Sequence, residues 1–103
     1  MAQRFAARGL ISEGHHAKNE MQLEVSPNPF GGNILLKYAI PTSGVVKISV
    51  YDILGKEIHN LINLAQQIGI YSLDFDGTKL AEASYILRLE SGGKVISRKI
   101  IKE

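Results

Sequence analysis

Four constellations in this sequence carry side chains whose types and spacing could do chemistry. His15-His16 offers two imidazoles, but a zinc site needs three or four ligands. Adjacent residues lack a third ligand nearby, and on a strand they would point to opposite faces. The pair reads as linker, and no metal site is assigned. Asp74-Phe75-Asp76-Gly77 has the opening spacing of a calcium loop, which needs further oxygen ligands and a closing carboxylate. Thr78, Lys79 and Leu80 follow instead, so a strand end and a turn are the better reading, with weak calcium binding at Asp74 and Asp76 as the alternative. Asp52 and Glu57 would need a cleft and a perturbed environment to act as acid and base, whereas a turn-capping Asp52 needs neither. Ser26, Thr42, Ser49, Ser72 and Ser97 have no paired histidine, and His59 stands alone as a rim or surface residue. The chain is read as non-catalytic and without a cofactor.

Composition narrows the field further. The chain has 103 residues, no cysteine and a formal net charge of +2. That length suits one domain with its own core. Without cysteine there is no disulfide staple, thiolate zinc site or thiol redox chemistry, although the compartment is left open. The charge is uneven: residues 21–93 hold five Lys/Arg against seven Asp/Glu, while Lys94, Arg98, Lys99 and Lys102 face only Glu103 in the last ten. A nucleic-acid footprint would need a broader basic patch with stacking aromatics, so nucleic acid is not expected as a partner. No apolar run reaches the length of a membrane span or of a signal-peptide core. Residues 1–20 read as a linker, a fragment of a preceding region or an added tail without order of its own. A transit peptide is the lesser alternative, and residues 21–103 form the expected domain.

The elements that must hold these residues are strands. Met21, Leu23 and Val25 alternate with Gln22, Glu24 and Ser26. Pro27 and Pro29 end that strand because neither can donate to a sheet. Phe30 is placed to cap the core while Gly31-Gly32-Asn33 turns the chain. Ile34, Leu36, Tyr38 and Ile40 give a second inner face, and Pro41 to Gly44 a turn. Val46, Ile48 and Val50 face inward on a third strand, with Lys47 and Ser49 outward. Asp52-Ile53-Leu54-Gly55 has the chemistry of a hairpin turn: an aspartate that bonds forward and a glycine free to take positive φ. Lys56 to Ile62 is expected to return as a strand, although Leu61, Ile62 and Leu64 also allow a helical turn. After Gly69, Tyr71, Leu73 and Phe75 alternate. Asp76-Gly77 turns, Leu80 is buried by a loop or helical turn over 79–83, and Tyr85, Leu87 and Leu89 form another inner face. Ser91-Gly92-Gly93 turns the chain into a last, basic strand over 95–101. About seven short strands without a long amphipathic helix predict an all-β, immunoglobulin-like antiparallel sandwich. Three of the four tyrosines fall on inner faces, which favours core packing over a sugar-stacking row, with Tyr51 the exception.

An ordered set of motifs carries a resemblance. Pro27-Asn28-Pro29-Phe30, the turn Ile40 to Gly44, Tyr51-Asp52-Ile53-Leu54-Gly55 on to Ile58, Gly69-Ile70-Tyr71, Phe75-Asp76-Gly77, Leu80-Ala81, Tyr85-Ile86-Leu87-Arg88-Leu89 and Lys99-Ile100-Ile101-Lys102 follow one another at suitable spacing. Over residues 21–103 the chain resembles the type A C-terminal sorting domain of the type IX (Por) secretion system of Bacteroidota. The resemblance implies a module carried C-terminal to a fused cargo. It implies partners in the type IX translocon and a sortase-like peptidase that removes the domain. It also implies passage through the periplasm to the outer-membrane surface or the extracellular space. The family usually has a glycine where Ala83 stands, so that turn is expected to take a different backbone conformation. The motif residues are read as fold determinants. Lys94, Arg98, Lys99, Ile100, Ile101 and Lys102 are the candidate surface for the translocon, since a terminal basic strand can be read by strand addition. The competing reading of the same strand is a closing edge protected by its lysines. The competing reading of the whole module is an accessory, spacer or adhesion unit of a surface protein.

Overall fold

The computed structural model describes residues 20–103; the linker reading, including His15-His16, lies outside the described residues apart from Glu20. Among the described residues seven strands run in chain order: β1 (Gln22–Ser26), β2 (Asn33–Ile40), β3 (Gly44–Asp52), β4 (Glu57–Gln66), β5 (Gly69–Asp76), β6 (Ala83–Ser91) and β7 (Lys94–Lys102). They form two antiparallel sheets, ordered β1-β2-β5 and β4-β3-β6-β7. This is the expected immunoglobulin-like sandwich, in which each strand hides alternate residues between two layers. Leu23, Ile34, Leu36, Tyr38 and Ile40 come from the first sheet. Val46, Ile48, Val50, Ile62, Tyr85, Leu87, Leu89 and Ile100 meet them from the second, and Phe30 closes one end.

The pairing explains where alternation is legible. β2 registers on β5 without interruption from Asn33 opposite Asp76 to Ile40 opposite Gly69. β4 is different, for its register on β3 shifts twice, between Ile48 and Ser49 and between Val50 and Tyr51. Leu61 and Ile58 are the unpaired extra residues, and both pack against the core. Such bulges break the period of two, and they produced the helical alternative over 61–64. The segment is strand throughout, and it runs on to Gln66 rather than ending at Ile62.

Ser49 lies on the outer face as expected, and it is nevertheless only 1 % exposed. Its cross-strand neighbours Asn60 and Arg88 cover it, and Asn60 Nδ2 donates to Ser49 Oγ at 3.1 Å. Between β5 and β6 the chain makes a turn, not a helix: Leu80 N–H donates to Gly77 O at 3.1 Å, and Leu80 is half-buried against the core. Ala83 opens β6 with no positive φ, so the position takes ordinary strand backbone.

The corner before β6 has its own brace. Tyr85 is 6 % exposed, and its hydroxyl donates to Ala81 O at 2.6 Å. A tyrosine near the start of this strand, tied back to the preceding backbone, is the tyrosine corner of immunoglobulin-like sandwiches.

Candidate recognition edge

The hairpin turn at Asp52 is a structural device. Asp52 Oδ1 accepts from the N–H groups of Leu54 and Lys56, each at 2.9 Å. Gly55 N–H donates to Asp52 O at 3.0 Å, and Gly55 takes φ 91°. Asp52 is thus committed to the turn, while Ile53 and Leu54 project from its tip. Glu57 instead pairs with Lys47 at 3.3 Å. That contact holds the Lys47 ammonium above its ordinary range, chiefly through the hydrogen bond to Glu57.

The other acidic constellation is also spent locally. Asp76 Oδ1 accepts from Thr78 N–H at 3.0 Å and from Thr78 Oγ1 at 2.7 Å. The backbone bond, then the hydroxyl bond, pull the Asp76 carboxyl below the usual carboxylate range. Beside it, a Cβ at Gly77 would overlap the Phe30 ring, so the glycine leaves room for the residue that closes the core. Among the described residues, no group of three or more His, Cys, Asp or Glu side chains is arranged to hold a metal ion. His59 sits exposed at the lip of the sandwich, edge-on to Phe75 at 5.6 Å.

The tyrosines fall as their periodicity predicts. Tyr38 is buried and stacks on half-buried Tyr71 at 5.4 Å. Burial raises the Tyr38 pKa, opposed by its hydrogen bond to Gln66 Oε1 at 2.8 Å. Tyr51 lies on the outer face of the four-stranded sheet under the Arg88 guanidinium, 5.7 Å from its ring centre. Arg88 Nε is also 3.2 Å from Glu90 Oε2, a charge contact without hydrogen-bond alignment. Gly44 and Gly69 stand at strand starts, where β3 and β5 each enter their sheet.

The β7 edge is where the candidate recognition residues meet the Pro27–Phe30 motif. After β1 the chain leaves the three-stranded sheet and crosses to β7. Asn28 Nδ2 donates to Lys99 O at 2.9 Å, and Ile101 N–H donates to Asn28 Oδ1 at 3.0 Å. Phe30 N–H donates to Ile101 O at 2.8 Å, and Glu103 N–H donates to Phe30 O at 2.9 Å. Phe30 bridges Lys102 in parallel and is 1 % exposed. Asn28 and Phe30 therefore act as a short surrogate strand clipped along the C-terminal half of β7. The sequence alone assigns the motif a strand end and a core cap, and the structure adds the pairing with β7. A polar side chain held between two prolines was the one local sign of a longer-range role.

Along an extended strand, backbone groups point alternately to the two sides. Lys99, Ile101 and Glu103 use the side away from β6, so Val95 and Ser97 share it. The β6–β7 register is continuous from Ser91–Lys94 to Ala83–Lys102, which preserves that alternation. The edge groups of Val95 and Ser97 lie beyond the clip. The candidate residues thus divide. Lys94, Arg98, Lys99 and Ile101 are exposed. Ile100 is fully buried in the core. Lys102 is 8 % exposed, with Nζ donating to Leu80 O at 2.7 Å and Thr78 O at 3.3 Å. In the folded strand Ile100 and Lys102 thus face the interior and the loop before β6, not the solvent. Both belong to the fold.

No helix among the described residues is long and apolar enough to cross a membrane. Among the curated proteins, none matches the chain. The family model for the secretion system C-terminal sorting domain matches residues 24–103. That span begins in β1 and includes the Pro27–Phe30 clip, the Asp52 turn and all of β7. The chain belongs to the secretion system C-terminal sorting domain family, the sorting signal of type IX secretion.

Proposed function

We propose that this domain is a non-catalytic address label, read in the periplasm by the outer-membrane translocon of type IX secretion. A cargo protein fused on its N-terminal side is carried to the cell surface or released. A sortase-like peptidase then removes the label near or before Met21. The family match over residues 24–103 carries this reading. The fold supports it, because a self-contained sandwich can present a recognition surface without any active site. Within the domain, the exposed part of β7 is the surface assigned to the translocon: Lys94, Arg98, Lys99 and Ile101.

The test is a fusion of residues 21–103 to a reporter directed to the periplasm. In a type IX-competent host the reporter should reach the surface or the medium, and in a translocon-deficient strain it should stay inside. In a second fusion that carries residues 1–103, mass spectrometry of the exported reporter should find a new C-terminus near or before Met21. Retention in the competent host, while a known sorting domain exports in parallel, would overturn the proposal. It would favour the spacer or adhesion module.

A further inference from the structure

β7 has two unequal halves, and the difference bears on what can bind it. The C-terminal half is closed, for the outward groups Lys99 O, Ile101 N–H, Ile101 O and Glu103 N–H are all taken by Asn28 and Phe30. On the N-terminal half, the outward groups belong to Val95 and Ser97. Arg98 Nη1 donates back to Ser97 O at 3.1 Å. Val95 keeps 49 % of its surface exposed although it is a large apolar residue. Apart from Ser97 O, these outward groups carry no further bond to neighbouring backbone among the described residues, and unpaired strand backbone is a template for another strand.

Charge decides which strand. Lys94, Arg98 and Lys99 are exposed, and among the described residues the ion pairs are Lys47–Glu57 and Arg88–Glu90 only. Three cations on one short edge oppose the same edge of a second copy, and they favour a chain with carboxylates at matching positions. The register assigns their sides. Lys99 lies opposite Ile86 on the outer face, with Val95, whereas Arg98 lies opposite Leu87 and shares the inward parity with Lys94. Both of the latter remain exposed at the margin of the sandwich. A groove of about 370 Å³ lined by Val45, Lys47, Glu90, Ser91, Lys94 and Val95, among others, adjoins the Val95 side.

We propose that the Lys94–Arg98 edge takes an extended acidic peptide segment by strand addition, with Asn28 setting the C-terminal limit of the site. The inference rests on the reading of β7 as the translocon-facing surface, and it names the chemistry of what that surface meets. Main-chain bonds to Val95 and Ser97 supply the pairing, and carboxylates beside Lys94, Arg98 and Lys99 supply selection.

The experiment uses the full chain and three short synthetic peptides. One alternates Asp or Glu with Val or Thr, one replaces every acid with Lys, and one has the acidic composition interrupted by prolines. The alternating acidic peptide should slow amide exchange at Val95 and Ser97, and the other two should not. Ser97→Pro removes an outward donor without touching the β6 ladder, and it should abolish the protection at Val95. Reversing Lys94 and Arg98 to Glu should weaken acidic-peptide binding about tenfold or more at low salt and transfer the preference to the Lys peptide. These exposed substitutions keep the test decisive should Ser97→Pro fold poorly. No protection by the acidic peptide, or affinity unmoved by charge reversal, overturns the inference. Because the assay reads the isolated chain, its failure is separable from that of the sorting reading: export without peptide binding refutes only this edge, and binding without export refutes only the sorting role.

Discussion

At the scale of single residues, three polar side chains that drew attention in the sequence are bound to nearby backbone. Asp52 collects two turn amides, Asp76 holds Thr78, and Lys102 caps two carbonyls of the loop before β6. Asp52 and Asp76 were legible as turn residues because an aspartate followed closely by glycine has a local signature. Lys102 was not, because a basic residue in a basic strand looks like solvent-facing charge until the partner loop folds against it. Asp76 makes a pH prediction. Its folded pKa lies below the ordinary carboxylate value, so ionisation favours the folded state. That contribution is complete above the unfolded pKa, near 4, and is lost as pH falls through the depressed folded value. Asp76→Ala should therefore lower the unfolding midpoint at neutral pH, and the gap to the parent should narrow below about pH 4. Urea titrations across that range read it directly. A gap independent of pH would assign the effect to turn geometry alone.

At the scale of elements, strands with unbroken alternation were legible and their edges were not. β2 and β6 bury every second residue in long runs, and a one-residue slip would reverse their faces. β4 blurred because two bulges insert Ile58 and Leu61. The clip of Asn28 and Phe30 onto β7 left no trace in periodicity, since its partners lie more than seventy residues apart in the chain. The clip sets β7's boundary between structure and surface, and it should be measurable. Asn28→Ala removes two hydrogen bonds, each worth about 0.5–1.5 kcal/mol net, so a loss of about 1–3 kcal/mol in urea unfolding is expected. Exchange of the Ile101 amide should quicken, while amides of β2 and β3 keep their rank order. Unchanged exchange at Ile101 would mean that the clip does not protect that edge in solution.

At the scale of the molecule, the fold and the motif order agree: an immunoglobulin-like sandwich, matched from residue 24 to 103 by the sorting-domain family. The sandwich buries the motif residues that identify it, such as Phe30 and Tyr85, and leaves cations along one edge. Identity is thus written in the core and corners, and the proposed address is written on β7. The sequence made the basic strand visible as a whole, but which of its residues face outward depended on register and on the clip. The most direct measurement compares surface export of a periplasmic reporter fused to residues 21–103 with that of the same fusion carrying Lys94→Glu, Arg98→Glu and Lys99→Glu. The predicted result is a charge-reversed domain that unfolds at close to the parent's urea midpoint and leaves its reporter in the periplasm while the parent is exported. Equal export of the two fusions would contradict the account and place the address elsewhere on the sandwich.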